Sequence, residues 1–493
     1  MTLAHDNSGH PHLGDDAVAR VSTLASAGRE AVVTMLAMLA TLGCTLAMTA
    51  EPGPAVLAVV LCLSFSRSHL DRDLRGRLEA AVALPIVGLL ATAVGLLLLR
   101  TPWLGAAVFV AGMFLSIWLR RFGAAARRAG SLLALPLVVI LTTPHVPARH
   151  LGPLMAVLMP IIVALLALGW VALFHALGRG LHLLPSARTA RPHVFVAPGR
   201  QSALRPVAST RMALQMAVAL VLSFVIGYVF FAERWAWIVL TAFIVNSGNR
   251  GRLDVAYKSV LRVLGAAAGT LLALSFTVHL GSHDRVTVAL ILGAVFIGIW
   301  LRPLGYAWWA LFVTLALALL QGFEGSSSAQ MLWPRLEEIV IGALLGVASA
   351  WLVYPVRSRA VLRRRLADIL AILADAFDPA TPVRPRSEIL SALASVQELA
   401  PAFRASRLVT RRWRAVQPAD WVDALTACIE PALLLLDQGI AHGEVRRSIG
   451  LARKALREPE QLLTALHELH HSLLRSTQKV AAPDRLDAGP PLP

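Results

Sequence analysis

Residues 296–305 read FIGIWLRPLG and residues 114–123 read FLSIWLRRFG, six identities in ten positions at an offset of 182 residues. Each closes an apolar run on Ile-Trp-Leu-Arg. A membrane boundary favours that ending, because an indole suits the headgroup level and a guanidinium on a long stem snorkels into water. Trp118 and Trp300, with Arg120 and Arg302, are therefore expected where a span meets the bilayer surface. Other pairs recur near the same offset, Trp170 with Trp351 and Gly88 with Gly265. The expectation is a six-span unit present twice. Six is even, so both copies enter from the same side, and the halves are expected as parallel repeats about an axis along the membrane normal.

Composition agrees with a lipid environment. The chain is 57% hydrophobic and 15% charged, where soluble proteins carry about 25% charge. Runs such as Leu154–Leu177 and Met212–Phe231 approach the ~20 apolar residues that cross a bilayer. An all-α integral membrane protein follows. The polar start, with Asp15, Asp16, Arg20, Arg29 and Glu30, lacks the pattern of a cleaved signal peptide, so the first span is expected to serve as insertion signal and to stay. The net charge of +17 is read as arginine gathered in cytoplasmic loops, and no nucleic-acid partner is expected. Cys44, Cys62 and Cys428 form no framework or zinc pattern.

Twelve apolar segments are expected, over 31–50, 54–66, 78–99, 103–119, 130–143 and 154–177, then 211–231, 235–247, 257–278, 286–301, 304–321 and 336–355. With the N-terminus in the cytoplasm, the inner loops hold 18 Lys or Arg and the outer loops 5, at Arg100, Arg149, Arg234, Arg285 and Arg335. That asymmetry orients the chain with both termini cytoplasmic. The expected organisation is a tail over 1–30, a first membrane half over 31–177, a basic linker over 178–210, and a second half over 211–356. A cytoplasmic helical domain over 357–480, announced by Arg363, Arg364 and Arg365, and a disordered tail over 481–493 complete it.

Polar detail concentrates in the second half. Segments two and eight are both short, and matched short segments in two halves point to a transport site. Trp235 and Trp237 open the eighth, and Asn246, Ser247, Gly248 and Asn249 end it early. Those residues are either an ordinary polar loop or the wall of an inner vestibule. Lys258 and Arg262 stand one helical turn apart, with Arg262 about one turn inside the apolar run. They either snorkel, or face a cavity and offer an organic anion two cations on one helix face. Glu337 and Glu338 open the last span; they are either interfacial acids paired with Arg335 or, once desolvated, proton carriers. Gly265/Gly269 and Gly342/Gly346 are small-xxx-small pairs suited to close helix packing. His467, His470 and His471 share a helix face without a Cys or acidic partner at ligand spacing, so no metal site is expected. No phosphate-binding glycine loop and no hydrolase motif occurs in the sequence; neither an enzyme, a cofactor nor a catalytic residue is expected.

The stretches RWAWIVLTAFIV…YKSVLRVLGAAAG and PRLEEIVIGALLGVASAWLVYP resemble the fusaric-acid-resistance-like (FUSC) family of bacterial inner-membrane proteins, which includes aromatic carboxylic acid exporters. Arg262, Gly265 and Gly269 fit the first part of its pattern, and Arg335, Glu338, Gly342, Gly346 and Pro355 the second. The resemblance covers about 211–357 and is weak in the first half, where Pro85 takes the place of Arg262. It implies export of organic, notably aromatic, carboxylates across the inner membrane, driven by the proton gradient or the membrane potential. It also implies a periplasmic membrane-fusion adaptor as partner. On this reading Arg262, Lys258, Asn246, Asn249, Trp235 and Trp237 bind substrate, and Glu338 with Glu337 carries the proton. An anion channel and a scaffold whose cytoplasmic helices hold a partner are the alternatives. The sequence leaves oligomeric state open.

Overall fold

The computed structural model describes residues 13–49, 52–68, 93–123, 153–184, 208–232, 234–277, 284–323, 329–380, 386–413, 415–438 and 443–481, with scattered positions between 86 and 141. Every regular element among these residues is helical. In chain order the helices run α1 (Leu13–Met48), α2 (Pro52–Ser68), α3 (Pro102–Trp118), α4 (Pro153–Gly180), α5 (Ala208–Phe230), α6 (Trp235–Asn246), α7 (Arg252–Thr277), α8 (Arg285–Trp300), α9 (Tyr306–Phe323) and α10 (Ala329–Leu352). Then follow α11 (Ser358–Ala376), α12 (Arg386–Gln397), α13 (Ala400–Thr410), α14 (Pro418–Asp437), α15 (Gly443–Ala455) and α16 (Leu462–Ala481). The chain divides into two compact units, one of residues 1–247 and 258–354, the other of 248–257 and 355–493.

Among the described residues, six helical stretches are long and apolar enough to cross a membrane, in α1, α3 with the turn that follows it, α4, α5, α7 and α9. α2, α6 and α8 are apolar but shorter. The protein is thus a multi-pass membrane protein. α6 has 12 residues, about 18 Å at 1.5 Å per residue, well short of the ~30 Å hydrocarbon core. The expected spans over 78–99 and 130–143 lie largely outside the described residues, as do most of the 178–210 linker and the 481–493 tail. Two boundaries differ from expectation. α1 begins at Leu13, so much of the expected tail is helical; its alanines and charged residues are good helix formers despite their polarity. α10 begins at Ala329 and carries Pro334 and Arg335 inside it. Arg335 is therefore a helix residue, 3% exposed, and not part of an outer loop. Pro334 is the sixth residue of the helix, so it forgoes one i→i−4 hydrogen bond, and the helix continues through it rather than starting after it.

Within this unit α1, α2 and α4 pack on one another, and so do α5, α6 and α10. The α8–α9 pair packs through α8 on α1, while α3 packs on α5. Two apolar cores result, one joining Met38, Phe65 and Met159 to Ala294 and Leu319, the other joining Phe109 and Met113 to Met216, Leu220 and Phe224. Lipid supplies no hydrophobic drive between helices, so close approach rests on small residues. A Cβ added at Gly265 would meet the Ala310 Cβ at 2.8 Å, and one at Gly342 the Thr241 Cβ at 2.9 Å. Those glycines seat α7 on α9 and α10 on α6. At the end of FIGIWLRPLG the Trp300 Nε1 donates to the Leu24 carbonyl of α1 at 3.1 Å, beside Gly28, where an added Cβ would stand 3.2 Å from that nitrogen. The indole is thus used in packing within the unit as well as at its edge.

In the second unit Leu366, Leu370, Leu425, Leu466 and Leu469 build one core across α11, α14 and α16. Residues 248–257 belong to it: Leu253 packs against that core, its amide donates to Ser358 Oγ at 2.9 Å, and the Arg250 guanidinium pairs with Glu398 at 3.0 Å. Gly251, at φ 123°, turns the chain into α7 with its Cα facing Ser358. A side chain there would be strained and without room.

Candidate functional site

Two arginines lie buried in the first unit. α7 carries Arg262 ten residues from its first residue, and α10 carries Arg335 six residues from its own. Their side chains are 2% and 3% exposed, and they lie within electrostatic reach of each other. An Arg262 Nη donates to the Thr314 hydroxyl of α9 at 3.5 Å, and Tyr306, at the start of that helix, senses its charge. An Arg335 Nη donates to the Gln321 side-chain carbonyl at 3.1 Å. The Arg335 guanidinium carbon stands 3.9 Å from the centre of the Trp237 ring. Cation–π contact of this kind is worth about 2 kcal/mol when dry. Among the described residues neither arginine has a carboxylate within ion-pair distance; the buried Glu338, one turn beyond Arg335, acts on it at longer range. Arg262 Nε, Arg335 Nε and the second Arg335 Nη have no hydrogen-bond partner among those residues.

A buried cation without a counter-ion is expensive. Two within reach of one another, each with unspent forked donors, form a centre whose chemistry fits a carboxylate or another planar oxyanion. Trp237 adds an aromatic wall beside it.

The acid of the site is Glu338. It is fully buried on α10, and its Oε1 lies 3.0 Å from the Nε of Arg234. The contact is an ion pair without the direction of a hydrogen bond, since both carboxylate oxygens lack a hydrogen-bond partner among the described residues. Arg234 is 42% exposed, so this pair joins a dry carboxylate to a cation that reaches the unit's surface. Glu337, one residue earlier, points outward and is exposed.

Of the other expected residues, Lys258 is half-buried on α7, its Nζ donating to the Ser247 carbonyl at 3.4 Å. Asn246 is buried at the end of α6, where its Nδ2 donates to the Ala242 carbonyl at 3.0 Å and Gly346 makes room for it. Its Oδ1 has no partner among the described residues. Asn249 lies in the second unit and accepts from the Gly251 amide at 2.6 Å. Trp235 packs with Phe224 and Tyr228, both at 5.3 Å between ring centres, which ties α6 to α5. Sequence reasoning omitted Arg335, Arg234, Thr314 and Gln321 from the site. The available signal was Arg335 three residues before Glu338, one turn apart on a helix once Pro334 is allowed inside it.

Residues 216–349 match the family model described as fusaric acid resistance protein-like. No curated protein and no solved structure matches the chain. The matched segment runs from α5 into α10 and contains both buried arginines, Glu338 and Trp237.

Proposed function

With a fusaric acid resistance protein-like domain over residues 216–349 as premise, we propose that this multi-pass membrane protein is an inner-membrane exporter of organic, chiefly aromatic, carboxylate anions. The observation that carries the reading is the pair of buried guanidiniums, Arg262 and Arg335, with no carboxylate within ion-pair distance among the described residues and an indole face against one of them. A carboxylate entering between α7 and α10 would accept from both forks, and its ring would lie along Trp237. Arg262 comes from the helix end expected at the cytoplasm and Arg335 from the opposite end, so the anion can pass from one to the other. Lys258 gathers anions at the inner mouth. Glu338 carries the coupling proton: its buried carboxyl lies 3.0 Å from Arg234, so its protonation and the movement of Arg234 are linked. Both termini and the second unit lie in the cytoplasm on this reading, and a periplasmic adaptor continues the export path.

Two six-span halves fit the packing. The trio α1, α2, α4 has its counterpart in α5, α6, α10, and α8 meets α1 as α3 meets α5. Such reciprocity supports a two-fold exchange of the α8–α9 hairpin with its first-half equivalent.

The test is efflux of a labelled aromatic acid such as benzoate from proteoliposomes under a proton gradient. Wild type exports it, Arg262→Ala inserts normally and does not, and Glu338→Gln loses dependence on the gradient. Undiminished efflux by well-folded Arg262→Ala would overturn the assignment.

A further inference from the structure

Among its described residues, the second unit exposes an apolar corner. In the sequence RLVTRRWRAV, residues 407–416, Leu408 is 83% exposed, Val409 67% and Trp413 75%. These are far larger exposures than a packed helical unit leaves on its big apolar side chains. The corner is held from below. Thr410 Oγ1 and Gln417 Oε1 lie 3.1 Å apart, and Gln417 Nε2 donates to the Thr410 carbonyl at 3.3 Å. Gln417 also opens α14 in a reciprocal cap with Asp420. The end of α13 is therefore tied to the start of α14, and Leu408 and Val409 in its last turn, with Trp413 just beyond, are left exposed.

Charge separates into two sets around it. Arg404 and Arg407 are spent on Asp423 and Asp420, at 2.7 and 2.8 Å. Arg411 and Arg412, between Val409 and Trp413 in the chain, are exposed and have no ion-pair partner among the described residues. Exposed arginines interleaved with Trp, Leu and Val on a rigid projection match the face that lies in a headgroup layer, with aromatic and aliphatic groups at the acyl boundary and cations on anionic headgroups. The chain itself keeps a bilayer close by, because its other unit spans one.

We propose that residues 408–413 form a membrane-surface anchor, in which Trp413, Leu408 and Val409 enter the interface and Arg411 and Arg412 bind anionic lipid headgroups. The second unit would thereby be held to the membrane at a point besides its chain connections.

The experiment uses the full chain in lipid nanodiscs, with Val409→Cys carrying an environment-sensitive fluorophore. Cys44→Ala removes the half-buried native thiol, and Cys62 and Cys428 are buried; burial pushes the Cys428 thiol up to about 12, so neither competes for label. In discs containing phosphatidylglycerol the emission should shift to the blue and be quenched by spin-labelled lipid. Arg411→Ala with Arg412→Ala should weaken that quenching roughly tenfold or more, given what a basic residue contributes at an anionic surface, and added salt should act in the same direction. Both substitutions are on exposed side chains. A probe equally water-exposed in every disc overturns the proposal. So does quenching indifferent to lipid charge and to the arginines, and so does shielding in detergent that grows with protein concentration, which would identify a second copy as the occupant.

Discussion

Replacing Arg335 by methionine should make the protein more stable and leave it unable to transport. The substitution removes one hydrogen bond from a charged donor to Gln321, about 1.5–3 kcal/mol, and the cation–π interaction with Trp237, about 2 kcal/mol. Against them stand two buried donor nitrogens without partners among the described residues, about 1–3 kcal/mol each and more when charged. The desolvation of an ion without a direct ion-pair partner adds several kcal/mol, and Arg262 adds like-charge repulsion that the attraction of Glu338 offsets only in part. Methionine keeps much of the length of the side chain and removes the charge. The net change expected is a gain of about 1–3 kcal/mol, seen as a melting temperature a few degrees higher in detergent. Transport should fall by roughly 10²–10⁴, the equivalent of losing two charge-assisted hydrogen bonds to a carboxylate. The assay pairs thermal unfolding with efflux from proteoliposomes. A strongly destabilised Arg335→Met would mean that the cation is a structural element with its costs already met, and the reasoning would fail. A stable variant with wild-type efflux would equally refute it.

Gly342→Val would place a branched side chain against Thr241 and the α6 backbone. Overpacking of this kind costs about 1–3 kcal/mol, and the yield of folded protein in detergent should fall, whereas the same change at Gly293, where an added Cβ meets nothing within 4 Å, should be tolerated. In the second unit, burial pushes the Asp423 carboxyl up, but Arg404 and Arg407 outweigh it and hold the group below the usual carboxylate range. Its contribution is therefore complete above the unfolded value near 3.9 and is lost as pH falls through the lower folded value. Hydrogen exchange in α13 and α14 should accelerate on acidification below about pH 4, and Asp423→Asn should be weakened already at neutral pH and lose part of that acid response.

The lipid-spanning character and the second-half concentration of polar groups were legible from composition, run length and the position of Arg262. A cation ten residues into an apolar helix has few outcomes. The site was only half legible because Arg335 follows Pro334, and a proline beside an arginine resembles a loop when read as a string. Only the helix phase of α10 shows that Arg335 and Glu338 are buried while Glu337 is exposed. The partner of Glu338 was not legible at all: Arg234 lies 104 positions earlier and meets it through the α6–α10 packing. Asn249 shows the opposite failure. It is near Asn246 in sequence, yet it folds with the second unit, because the turn at Gly248 and Gly251 hands the chain to Ser358.

The central claim is that Arg262 and Arg335 together hold an organic anion. Calorimetric titration of the purified protein with benzoate measures this without requiring transport or coupling. Wild type should bind with heat, and Arg262→Gln with Arg335→Gln, folded by thermal unfolding, should bind at least about a hundredfold more weakly, the equivalent of two missing charge-assisted hydrogen bonds. Equal affinity in the two proteins would contradict the account.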